Sequence, residues 1–414
     1  MRAWPRAASA LPLLTAALIL GHGRLAAQTG AERARDLGIP LDGTPGPLDA
    51  ITDVPGVTVG HSTIIRGSGR LVQGKGPVRT GVTAVFPRGR DDLSPVFAGW
   101  FSLNGNGEMT GTAWIDDYGL LYYPIAITNT NSVGTVRDAL IEWGAERLLD
   151  ALHCCLPVVA ETWDGDLNDI FGFHVKKEHV YAALSAATGG PVAEGNVGGG
   201  TGMQCLGFKG GIGTASRRTT AVRGRFTVGA LVQCNFGLRR QLRIAGIPVN
   251  QELKVSEPCY DTRESLDSTL APDRCATASG DRVHEETEHG SIIVVLATDA
   301  PLLPHQLRRL ARRAALGVGR MGGIAGAGSG DLFIAFSTTP TGAADSTGVA
   351  RVAMLSDDVI DPVYEAAVQA TEEAIINAML AARTMTGANW YRVEALPHDG
   401  VREVLARHGR LVGK

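Results

Sequence analysis

Stacked β-sheets covered by helices, in a single α/β (α+β) domain, form the architecture that the sequence predicts. Short apolar runs rich in Val and Ile recur at strand length, helical runs alternate with them, and no segment repeats at a fixed period. A length of 414 residues allows one large α/β unit or two modest ones. With 44% hydrophobic and 20% charged residues, the composition is ordinary for a globular chain. The 53 glycines fall in loops without a collagen-like repeat, which suits tight turns around a site or a loop-rich surface. A formal net charge of −3 points away from nucleic acid as a partner.

The chain opens on a processing signal. Arg2 and Arg6 precede an apolar stretch from Ala7 to Leu20, and Leu25-Ala26-Ala27 offers small residues for cleavage. Residues 1–27 are expected to be a signal peptide, leaving a mature chain, 28–414, that is periplasmic or secreted. An uncleaved anchor is the alternative, but the apolar run is short for a span. No later stretch is long and apolar enough to cross a membrane.

Thr29 to Pro47 reads as a polar lead-in. Ile51 to Ile65 reads as strand and turn, and Thr80 to Phe86 and Val96 to Phe101 as further strands. Asn104-Gly105-Asn106-Gly107-Glu108 is a polar turn cluster, expected as a hairpin connection, with a binding loop as the alternative. Tyr122 to Ile127 is strand-like. A helix follows from Ser132 to Leu149, with Val136, Leu140, Trp143 and Leu148 spaced for one face. Leu156 to Ala160 is an apolar strand. The acidic and aromatic residues after it, Glu161 to Asp169, suit either a pocket rim or a solvated turn.

Gly195 to Gly202 is the richest glycine loop, but it has neither the GxxxxGK[ST] nor the strand–GxGxxG–helix context of a phosphate cradle. Phe226 to Gln233 is a strand that delivers Asn235 at its end. Gly246 to Gly290 reads as a long surface excursion or linker. Pro304 opens a basic helix (His305 to Gly317), a glycine-dense loop runs from Gly317 to Gly330, and Leu332 to Ser337 is a strand. Asp361-Pro362 is expected to cap a long helix reaching about Ala382, with Val363, Ala367, Ala370 and Ala374 on one face.

Within that excursion's end lies the stretch of greatest chemical interest. Glu285 to Glu288 lead into His289-Gly290-Ser291, and Ile292-Ile293-Val294-Val295-Leu296 follows at once. A continuous β-branched run of this kind reads as a buried strand. Ser291 thus sits at its mouth, after a glycine that can take up strained backbone. If the Gly290–Ser291 bond were cut, Ser291 would carry a hydroxyl nucleophile and a free α-amine. That amine, with a pKa of about 7.7–8.0, suits base work at neutral pH. Such a site needs groups to hold the amine and an amide donor for the oxyanion. Ser329 and Asp331, at the mouth of a later strand, could do the first, and Asn235 the second. The bland alternative is a plain strand start, since Gly-Ser before a strand is common.

Other chemistries find less support. His174 and His179 lie five apart and make no HExxH pair. Ala327-Gly328-Ser329-Gly330-Asp331 lacks both glycines of a GxSxG elbow. No Cys/His spacing suggests a metal site, and no cofactor is expected. Export permits disulfides. Cys259 and Cys275 bracket a polar segment, and a bridge there would close a loop of roughly fifteen residues worth about 3 kcal/mol. Cys154 and Cys155 are adjacent and poorly placed to bridge each other, while Cys205 and Cys234 lie in apolar contexts and are expected as buried thiols.

Several motifs occur in order: Asn129-Thr130-Asn131-Ser132-Val133-Gly134, Glu161-Thr162-Trp163-Asp164-Gly165, Asn196 to Gly202, Gln233-Cys234-Asn235-Phe236-Gly237, Gly290-Ser291 and Gly328-Ser329-Gly330-Asp331. From about Gly38 to about Ala382, the chain resembles the L-aminopeptidase/D-esterase and β-peptidyl aminopeptidase family (DmpA-like enzymes). The resemblance implies a four-layer αββα sandwich like that of N-terminal-nucleophile hydrolases. It also implies autoproteolysis at Gly290-Ser291 into chains 28–290 and 291–414, and usually a tetramer of such pairs. The implied activity removes N-terminal residues from peptides, amides or esters. Matched by position, Ser291 would be the nucleophile, Ser329 and Asp331 its hydrogen-bond support, Asn235 an oxyanion donor, and Glu161 the receiver of the substrate ammonium.

Three departures bear on substrate preference. Asp331 stands where β-aminopeptidases carry Glu, so its reach is shorter. Trp163 stands where some members have Tyr, which would leave the acyl pocket larger or more apolar. The 246–290 excursion looks longer than usual. Two rivals remain: an acyltransferase of the ornithine acetyltransferase type with scission at Gly200-Thr201, and a non-enzymatic binding protein that retains the glycine loops.

Overall fold

In the computed structural model, the described residues are 32–147, 156–219, 225–262, 275, 288, 290–340, 342 and 348–412. The expected signal peptide, Cys154 and Cys155 lie outside them. Four layers build the protein: helices, sheet, sheet, helices. The first sheet runs β1 (Thr58–Arg66), β2 (Val78–Phe86), β5 (Ile125–Asn129), β6 (Val159–Thr162). The second has six strands in the order β4 (Leu120–Leu121), β3 (Val96–Gly105), β13 (Gly330–Ser337), β12 (Ser291–Thr298), β10 (Thr227–Asn235) and β9 (Gly211–Arg218). Helices α2 (Val133–Ala145) and α3 (Lys177–Ala186) cover the first sheet, and α4 (Pro304–Arg320) and α5 (Asp361–Ala381) cover the second.

The layering follows from alternation along each strand. In β12, Ile292, Val294 and Leu296 face α4 and α5, while Ile293, Val295 and Ala297 meet Val85, Ile125, Ile127 and Ala160 of the opposing sheet. Both faces are buried, which is why the run reads as continuously apolar. Valine and isoleucine fill that space because branched side chains pack well on a pleated surface. On α4, Leu307, Leu310, Ala311 and Ala314 face the core while its arginines face outward. Helix α5 is buried almost all round, as its alanine-rich sequence allows.

Shorter elements complete the chain: α1 (Thr112–Tyr118), the hairpin β7 (Gln204–Cys205) and β8 (Phe208–Lys209), a small sheet of β11 (Cys259–Tyr260), β14 (Met385–Thr386) and β15 (Tyr391–Val393), and α6 (His398–Arg407). The polar lead-in is anchored, with Arg33 on Glu194 at 2.9 Å and Arg35 on Glu373 at 3.0 Å.

Several expectations are corrected. Cys205 and Cys234 are joined in a disulfide (Cα–Cα 5.4 Å) and are not thiols, because the β7 turn folds back on the end of β10. The bridge considered between Cys259 and Cys275, by contrast, is present (Cα–Cα 5.0 Å). The strand expected at Leu156 to Ala160 runs from Val159 to Thr162, so parallel pairing with β5 carries it past Glu161. Asp361 is the first residue of α5 and makes no side-chain cap. Helix α4 extends to Arg320, into the expected glycine loop. The 246–290 excursion is not all linker, since β11 pairs with β15.

Candidate active site

Strand pairing brings the sequence-predicted residues to one end of the six-stranded sheet. Strand β12 lies parallel to β13 and antiparallel to β10, so Ser291 is level with Gly330 on one side and Asn235 on the other. The Ser291 hydroxyl donates to the Gly290 carbonyl at 2.7 Å. The Gly330 N–H donates to that carbonyl at 3.0 Å and to Ser291 Oγ at 3.2 Å. Gly290 is not in the left-handed region, contrary to the expectation of strain. Its lack of a side chain serves close approach instead: a Cβ there would sit 2.2 Å from the Asn235 carbonyl oxygen.

The support residues flank this point. Ser329 Oγ donates to Asp331 Oδ1 at 2.7 Å, so the shorter aspartate still reaches its serine. The second Asp331 oxygen is buried without a hydrogen-bond partner. Burial pushes the Asp331 carboxyl up to about 6, against the pull of the Ser329 hydrogen bond and with help from the nearby Glu288 charge. Asn235 accepts the Gln204 N–H on Oδ1 at 2.7 Å, which fixes the amide so that Nδ2 is left for an acceptor in the adjoining cavity.

That cavity has a volume of about 1130 Å³ and includes Ser291, Gly290, Asn235, Glu161, Trp163 and Gly328 in its wall. Glu161 is 3% exposed. Its Oε1 accepts the Glu108 N–H at 2.9 Å and its Oε2 the Thr130 hydroxyl. Burial raises its pKa, opposed by those two hydrogen bonds. No cation pairs with it among the described residues, although a buried carboxylate is costly without one. Trp163 is 37% exposed and meets Phe171 edge-on, with centroids 6.4 Å apart. Under this wall, Asp164 accepts from Asn168 Nδ2 at 2.9 Å and Asn129 Nδ2 at 3.1 Å.

Residues 49–393 match peptidase family S58. The chain belongs to that family. It is 52% identical over 401 residues to the β-peptidyl aminopeptidase BapA of Sphingosinicella microcystinivorans, covering 97% of this chain and 98% of that one. Among solved structures it is similar to the L-aminopeptidase D-Ala-esterase/amidase of Ochrobactrum anthropi. That protein is described as a prototype for the serine aminopeptidases and a new variant of the N-terminal-nucleophile hydrolase fold (46% identity, TM-score 0.81, 92% of this chain and 99% of that one). It is also similar to a Burkholderia sp. β-aminopeptidase (47% identity, TM-score 0.79, 91% and 99%). The resemblance read from the ordered motifs is therefore borne out, and the four-layer sandwich is that of an S58 peptidase whose relatives are serine aminopeptidases.

Of the site residues read from the sequence of this S58 peptidase, Gly290, Ser291, Asn235, Glu161 and Trp163 line the cavity; Ser329 and Asp331 do not, and flank Gly330, whose N–H reaches Ser291 Oγ. The Asn104 to Glu108 cluster is not a hairpin connection: it leads from β3 towards α1, and Asn106, Gly107 and Glu108 line the cavity. Glu257, Pro258 and Tyr260 of the excursion line it too, as does Tyr391. No motif marked these, because strand pairing far along the chain brings them in. No histidine among the described residues lines the cavity. Thr201, the acyltransferase scission point, is fully buried away from it and donates to the Gly198 carbonyl at 2.6 Å. That alternative is not favoured.

Proposed function

We propose that this S58 peptidase cleaves its own Gly290–Ser291 bond. It then works as a two-chain serine aminopeptidase, releasing N-terminal residues, β-amino-acyl residues among them, from small peptides, amides or esters. One observation carries the reading: the Ser291 hydroxyl donates to the Gly290 carbonyl at 2.7 Å, in a cavity wall that also presents a buried carboxylate, Glu161, with no cation beside it among the described residues. The β-peptidyl preference draws on the names of the relatives at 52% and 47% identity.

In self-processing, Ser291 Oγ attacks the Gly290 carbonyl carbon while the Gly330 N–H polarises the carbonyl oxygen. The hydroxyl proton passes to the Ser291 nitrogen, the C–N bond breaks, and an ester joins Gly290 to Oγ. Water hydrolyses the ester, leaving a Gly290 carboxylate, a free hydroxyl and an α-amine. In turnover, that amine takes the Oγ proton as Oγ attacks the substrate carbonyl. Asn235 Nδ2 donates to the oxyanion. Asp331, held by Ser329, orients the amine. Glu161 receives the substrate ammonium, which restricts attack to the N-terminal residue, and Trp163 walls the acyl side. The proton passes on to the leaving amine, and water releases the acyl group. No cofactor enters this scheme.

The reading includes a periplasmic or secreted mature enzyme and a homo-oligomer of two-chain protomers. Purified wild type and Ser291→Ala are compared on denaturing gels and by intact mass. The wild type is expected as fragments 28–290 and 291–414 with activity on amino-acyl p-nitroanilides, and Ser291→Ala as one inactive chain. An unprocessed wild type refutes the proposal, and an active Ser291→Ala refutes the nucleophile.

A further inference from the structure

Glu288 lies two residues before the proposed scission point. It is 4% exposed, is absent from the cavity wall, and has no role in the turnover described above. Its two oxygens accept from different segments: Oε1 from the Gly237 N–H at 2.9 Å and Oε2 from the Gly326 N–H at 3.1 Å. Gly237 follows Asn235 at the exit of β10. Gly326 leads into the other flank, where its carbonyl accepts the Ser329 N–H at 2.8 Å and the Asn104 side-chain amide. The approach is close enough to require glycine, since a Cβ on Gly326 would sit 2.8 Å from the Glu288 Cβ. Among the described residues no cation pairs with Glu288, and two backbone N–H groups are its donors. Such a group is an unusual choice for a segment that merely passes by.

We infer that Glu288 is a positioning residue for self-processing: it clamps the chain upstream of Gly290 to both flanks of the site, so that the Gly290 carbonyl faces the Ser291 hydroxyl. The inference rests on the self-cleaving reading. The clamp sits on the side of the bond that ends at Gly290 after scission. Ser291 is held on the other side, by the ladders of β12 with β10 and β13. Glu288 therefore acts chiefly on processing, and reaches turnover only through its charge, which helps raise the Asp331 carboxyl.

Glu288→Gln keeps the size and one acceptor but opposes the second backbone N–H with an amide donor, and Glu288→Asp keeps the charge but shortens the reach. Each is followed from freshly purified precursor by the rate at which the two fragments appear, and the processed fraction is assayed for kcat. Both variants are expected to process at least tenfold more slowly than wild type, and Glu288→Asp, which keeps the charge near Asp331, to leave kcat of the processed fraction within twofold. Folding is checked in the uncleavable background by comparing the Tm of Ser291→Ala with that of Ser291→Ala/Glu288→Gln. Complete loss of processing with matching Tm values supports the inference. Processing at the wild-type rate, a parallel fall in kcat of Glu288→Asp, or a collapse of Tm in the double variant overturns it. If the wild type itself never processes, the functional reading fails first, and the two failures are told apart.

Discussion

Glu161→Gln tests the proposed source of aminopeptidase selectivity most directly. The substitution removes one charge and little else. Glutamine can still accept the Glu108 N–H on its oxygen, and its amide can donate to the Thr130 hydroxyl, which now donates to the carboxylate. Because Glu161 is 3% exposed and faces a cavity, the substrate ammonium it would meet is largely stripped of water. Removing one member of such a buried, hydrogen-bonded charge pair costs roughly 2–5 kcal/mol. At about 1.4 kcal/mol per tenfold, kcat/KM should fall between roughly 30-fold and a few thousand-fold. The assay compares an amino-acyl p-nitroanilide with its N-acetylated analogue in both enzymes. The wild type should strongly prefer the free amine, and Glu161→Gln should lose most of that preference while still processing to two chains. An unchanged kcat/KM, or an equal loss on the acetylated substrate, would refute the assignment of Glu161 as the ammonium receiver.

Asn235→Ala should lower kcat by about 10²–10³ and leave KM nearly unchanged, because the lost donor acts on the oxyanion and not on bound substrate; steady-state kinetics decide it. Burial raises the Glu161 pKa, so protonation should begin above the usual carboxylate range. As pH falls through that raised value, KM for free-amine substrates should rise in wild type but stay flat in Glu161→Gln. Asp164, buried and raised to about 7, ionises in the unfolded chain near its ordinary 3.8 and in the folded protein only near 7. Its contribution to stability is therefore present below about pH 4 and lost as pH rises to 7. Asp164→Asn, which keeps the shape, should show a Tm that rises relative to wild type between about pH 4 and pH 7 and levels off above. Parallel Tm curves would contradict the burial argument.

Local pattern exposed some parts of this site and long-range pairing hid others. The β12 strand was legible because a strand buried on both faces leaves an unbroken branched run, with Ser291 as the polar residue at its start. Ser329, Asp331 and Asn235 were legible for a related reason, since each stands at a strand end where an apolar pattern gives way to short polar residues. Glu161 misled the boundary. The apolar run stops at Ala160, yet the ladder continues because Thr128 and Asn129 of β5 supply partners that no local rule reveals. The same holds for the cysteines: apolar context foretold the burial of Cys205 and Cys234, but their pairing depends on where a two-strand turn folds back. Glu288 is the sharpest case. In sequence it closes an acidic run that looks solvated, and only the β10 exit and the loop before β13, which meet at no fixed spacing, turn it into a buried acceptor. A charge next to the proposed scission point is therefore better judged by which backbone donors surround it than by the polarity of its neighbours in the chain.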